Sequence, residues 1–66
     1  MITRIGLVAG DIWSYLDKNG KEARLGDVVS ALQIDRDLVL MSIGWLSREG
    51  HLILRGKASN YTIKLA

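Results

Sequence analysis

The spacing of apolar residues divides the chain into helical and extended stretches. Ile5, Val8, Ala9, Ile12 and Leu16 recur at intervals of three and four, the period that gathers side chains on one stripe of a helix. Trp13 and Tyr15 widen the stripe on either side. The pattern predicts a helix over residues 4–18, with Thr3 as its N-cap. Asn19-Gly20 supplies the left-handed residue that ends it. Glu22, Ala23 and Arg24 read as a short extended segment. A second helix follows over residues 26–32, turning Val28, Val29 and Leu32 toward the core, with Arg24 standing where a Ser or Thr cap is expected. Gln33-Ile34 then makes a turn.

Asp35 is placed to cap a third helix. At 100 degrees per residue, Leu38, Val39, Ser42, Ile43, Trp45 and Leu46 fall on one arc and are expected to face the core. Arg36, Asp37, Leu40, Met41, Gly44, Ser47 and Arg48 occupy the other. Gly50 suits a left-handed residue that swings the chain straight into a strand. Leu52 and Leu54 alternate with His51, Ile53 and Arg55, and Tyr61, Ile63 and Leu65 alternate with Thr62 and Lys64. Two such runs joined by residues 56–60 predict a hairpin. The fold class is α+β: three helices, a small strand between the first two, and a C-terminal two-stranded wing.

Length and composition add a constraint. Sixty-six residues form one domain over 1–66 with one small core, marginal without a staple. With no cysteine, disulfides and thiolate metal sites are excluded, which leaves oligomerisation. An apolar content of 48% points the same way, because so small an interior does not hide that many aliphatic side chains. The net charge of +2 matters less than its distribution. All seven acids lie at or before Glu49, and only His51, Arg55, Lys57 and Lys64 follow as titratable side chains of cationic type. Gly6 and Gly10 share a helix edge beside Trp13. Each costs roughly 1 kcal/mol of helix propensity, so close packing within the domain is expected there. The apolar run over residues 5–9 is short for a signal segment and is closed by Asp11, and no stretch is long enough to span a bilayer. The expectation is a cytoplasmic protein.

Little here is suited to catalysis. One histidine with dispersed carboxylates offers neither a nucleophile–base pair nor a metal-ligand set. The glycines form no phosphate-cradling loop. A non-enzymatic protein without metal, cofactor or small-molecule substrate is expected.

Trp45-Leu46 near a helix end, then Arg48-Glu49-Gly50, then the aliphatic strand His51-Leu52-Ile53-Leu54 resemble the third helix and first wing strand of a winged helix-turn-helix domain. More closely, the chain resembles short bacterial winged-helix proteins of unestablished function, and the resemblance covers nearly the whole chain. It implies DNA binding, with the third helix in the major groove and the wing on phosphates. Carried onto these residues, Arg36 and Arg48 stand as helix contacts. Arg55, Lys57 and Lys64 could meet phosphates, with Ser59 and Asn60 as neutral donors. The same wing cations also serve to guard an exposed hairpin edge.

The centre of the third helix's outer arc is Leu40, Met41 and Gly44, and Asp35 and Asp37 stand at its N-terminal end. Base reading asks for Arg, Lys, Asn or Gln instead. Two readings therefore stand. One is a homodimeric regulator binding double-stranded DNA weakly through its wing. The other is a protein-interaction module without DNA binding that uses Leu40, Met41 and Gly44, with Leu7 at the rim, as a dimer or partner interface.

Overall fold

The computed structural model describes residues 2–57 and 60–66, with residues 2 and 3 as backbone only. In chain order the elements are α1 (Ile2–Lys18), β1 (Glu22–Arg24), α2 (Leu25–Leu32), α3 (Arg36–Arg48), β2 (Leu52–Arg55) and β3 (Thr62–Leu65). The three strands form one antiparallel sheet in the order β1-β3-β2. This is the expected helix, strand, two helices and wing, with the small strand adopted as the wing's third member.

The α1 stripe is buried as its spacing predicts. Val8, Ala9, Ile12 and Leu16 enter the core, and Ile5 and Tyr15 pack half-buried against it. From α2 and α3 come Leu25, Val28, Leu38, Val39, Ile43 and Leu46; the sheet adds Leu52 and Ile63. Ser42 is fully buried among them. Its hydroxyl donates to the Leu38 carbonyl at 2.8 Å, so a small polar residue sits in the core without an unsatisfied donor.

Helix ends follow a shared design. The N–H of Lys21 donates to Leu16 O at 2.7 Å, and that of His51 to Leu46 O at 2.9 Å. These six-residue closures are Schellman bonds, made possible by Gly20 at φ +84° and Gly50 at φ +79°. Asn19 adds a side-chain bond from Nδ2 to Tyr15 O at 2.7 Å. The turn between α2 and α3 depends on Gln33 at φ 52°, whose N–H bonds Val29 O at 3.0 Å.

Several expectations are corrected. The helix begins at Ile2, so Thr3 lies inside its first turn and is not the N-cap, since propagation adds a bond per residue once a helix exists. The second helix starts one residue earlier than expected, at Leu25, whose N–H is held by Tyr61 O at 2.9 Å. Asp35 does occupy the N-cap of α3, but its carboxylate makes no capping bond. Its backbone carbonyl accepts from Val39 N–H at 3.0 Å, and the charge complements the helix dipole.

Trp45 is not a core residue: it is 46% exposed, because the buried arc centres on Ser42 and Leu46 and leaves the indole on its flank. Trp13 is likewise 43% exposed. Leu54 points to the inner side of the sheet yet stays exposed, because β2 is an edge strand and only Leu52 reaches the core. Gly6 and Gly10 are not closely packed. A Cβ built at either would meet no described atom within 4 Å.

Candidate nucleic-acid interface

The sheet register decides which charges meet. Arg24 and Arg55 are both aligned with Thr62, one on each side of the central strand. Glu22 and Ile53 flank Lys64 in the same way. Side chains alternate along strands, so these six residues share one face. The opposite face carries Ala23, Ile63 and Leu54, with Ile63 fully buried. The first face therefore looks to solvent, and Glu22, Arg24, Ile53, Arg55 and Lys64 are exposed on it. Two strand spacings of about 4.8 Å set the Arg24 and Arg55 backbones roughly 10 Å apart. The result is a band of three cations and one carboxylate.

The hairpin loop extends this band. Asn60 N–H donates to Lys57 O at 2.8 Å, closing the turn with both side chains exposed. Gly56 at φ +104° is required there, because a Cβ would collide with the Asn60 carbonyl oxygen. Of the residues expected to contact nucleic acid, Arg55 and Lys64 are brought onto one face, and Lys57 and Asn60 stand at its loop. Ser59, with Ala58, lies outside the described residues. Arg24 belongs to the group, although the sequence marks it only as the end of a short extended segment and the start of a helix. The alternation of Glu22 and Arg24 about Ala23 showed that the two share a face; their pairing partner was not local information.

Arg36 and Arg48 are separate from this band. They sit at opposite ends of α3, about 18 Å apart along a helix rising 1.5 Å per residue. Between them the exposed surface is Asp37, Leu40, Met41, Gly44 and Trp45. Ser47, half-buried beside Gly44, keeps an Oγ with no hydrogen-bond partner among the described atoms. Nothing in the middle of this helix presents a long donor to a base edge. Leu7 projects from α1 and is 67% exposed.

Other chemistry is sparse. Among the described residues no group of three or more His, Asp or Glu could hold a metal ion. No described helix is long and apolar enough to cross a membrane. The one described ion pair, Lys21 with Asp17 at 3.7 Å, is solvent-exposed and of the kind that contributes little.

Compared with known proteins, residues 1–65 match the family model described as "Winged helix-turn-helix domain (DUF2582)". No curated protein and no solved structure matches the chain.

Proposed function

The chain belongs to this winged helix-turn-helix family, and on that premise we propose that it is a cytoplasmic, non-enzymatic, nucleic-acid-associated regulator working as a homodimer. It contacts double-stranded DNA through phosphates, using the outer face of its sheet and the hairpin. The observation that supports this most is the alignment of Arg24 and Arg55 on either side of Thr62, with Lys64 on the same face. A cationic band of this kind suits backbone phosphates, which position a protein without reading sequence. Lys57 and Asn60 extend the contact at the loop, with Ser59 as a further neutral donor from the sequence, while Arg36 and Arg48 make separate contacts at the two ends of α3.

Binding of this type is weak, sequence-tolerant and steep in salt. The four cations of the sheet and hairpin, Arg24, Arg55, Lys57 and Lys64, give a log–log slope of about 3–4. A titration of mixed-sequence duplex at low and moderate salt tests the reading, with Arg24→Glu, Arg55→Glu and a control at Lys18→Glu. Loss of binding in the first two, with the control intact, is expected. No binding by the parent at low salt overturns it.

A second reading is favoured by the exposure of Leu40, Met41 and Trp45 on α3. Here the helix that would read bases meets protein instead, through Leu40, Met41 and Gly44 with Leu7 at the rim. Tight, sequence-selective DNA binding lost on changing Leu40 or Met41 would exclude both readings as stated.

A further inference from the structure

Where α1 and α3 lie side by side, an open groove of about 400 Å³ runs along the seam, lined by Gly6, Ala9, Gly10, Trp13, Trp45 and His51 among others. Both tryptophans of the chain stand at it, each nearly half exposed. Met41 lies one helical turn before Trp45 on the same flank of α3, where it shares a second depression with Arg4, Asp35 and Leu38. Leu7, the most exposed large apolar residue of the described chain, follows Gly6 on α1. Leu40 falls on the other flank of α3. We propose that this seam is the contact surface for a second copy of the chain, with an indole of one protomer seated over Gly6 and Gly10 of its partner. The inference rests on the homodimer part of the reading above and locates the interface.

Three observations select a second copy as the occupant. First, the patch holds both halves of a fit: projecting indoles, and a helix edge where no side chain fills the space. A two-fold axis needs such self-complementarity, because each patch meets its own likeness. Second, the surrounding charges carry both signs. Arg4 and Asp35 lie at the Met41 end. Asp17 lies one turn beyond Trp13, and Arg48 three residues beyond Trp45. A rim of one sign would repel its own copy. The basic sheet face, in contrast, suits an anion.

Third, the two indoles alone supply about a quarter of a standard interface. A standard interface takes about 800 Å² from each partner, under a fifth of this chain's 4461 Å². Two half-exposed indoles alone bring roughly 200 Å² of it. Met41 and the bare backbone of Gly6 and Gly10 lie alongside. A small-molecule occupant would leave much of both indoles in water, since the groove is open along its length.

Sedimentation over a concentration series, with tryptophan emission followed in parallel, tests this directly. Because both tryptophans line the seam, association should shift the emission to shorter wavelength as the dimer forms. Gly10→Glu finds open space within its own chain, so the fold should persist by circular dichroism while self-association weakens at least tenfold. Met41→Glu, across the seam, should act alike, and Ser30→Ala, at an exposed position of α2, should leave association unchanged. A parent that stays monomeric overturns the proposal and assigns the groove to a different protein. A dimer that survives both Glu substitutions, or forms without an emission shift, also overturns it and places the interface elsewhere. A dimer that behaves as expected but ignores DNA leaves this inference standing and removes the nucleic-acid reading.

Discussion

With nearly half of its surface in water, the Trp45 indole covers the flank of α3 and does not fill the interior. Trp45→Ala is therefore expected to cost about 1–2 kcal/mol in the monomer, less than the roughly 3–5 kcal/mol of a buried tryptophan. A urea melt at low protein concentration measures the difference. Gly50 is the opposite case, a residue with no packing role whose backbone is nonetheless indispensable. At φ +79° it opens the Schellman turn from α3 into β2. Gly50→Val should cost well over about 1 kcal/mol, since a β-branched side chain resists that conformation. An unchanged melting curve would refute this account of the turn. Gly6 differs again, being helical, exposed and without near neighbours. Gly6→Ala should stabilise the monomer by about 0.5–1 kcal/mol through helix propensity.

Among the elements, the three-residue strand β1 has consequences beyond its length. It completes the sheet and carries Arg24 to the same level as Arg55. If both contact phosphate, Arg24→Ala and Arg55→Ala should each lower the salt slope of DNA binding by about 0.9 with little effect on stability. An Arg24→Ala variant with the parent slope would take β1 out of the interface. The hairpin loop is under a tighter constraint. At Gly56→Ala the new methyl meets the Asn60 carbonyl, so the loop must deform. Faster amide exchange in β2 and weaker DNA binding are expected, with α1 protection unaltered.

At the scale of the whole molecule, twelve buried apolar side chains form the described core. Such domains are marginal alone, and Leu7, Trp13, Met41 and Trp45 remain outside that core. If self-association covers them, the melting temperature should rise with protein concentration, because a partner that binds only the folded state stabilises it by mass action. A melting temperature constant over a hundredfold dilution from about 100 μM would count against the dimer. The division of surfaces is simple: a mixed-charge apolar seam between two helices, and a basic face on the sheet.

How much of this was legible in the sequence depends on whether the cause is local. The helices, the turns at Gly20 and Gly50, the alternation in β2 and β3 and the burial of Ile12, Leu16, Val28 and Ile43 were all readable. Each follows from spacing or from a backbone conformation fixed within a few residues. Periodicity misplaced Trp45 because a wheel gives a direction but not how far the neighbouring helix reaches; α1 presents glycine edges there and leaves the indole uncovered. It overlooked Arg24 because its strand pairs with one about forty positions away, Arg24 with Thr62. The sequence by itself therefore determined the elements, their order and the winged helix-turn-helix class. Only the tertiary structure decided that Arg24 stands level with Arg55 and that both tryptophans share one groove, since both juxtapositions are made by packing between elements distant in the chain.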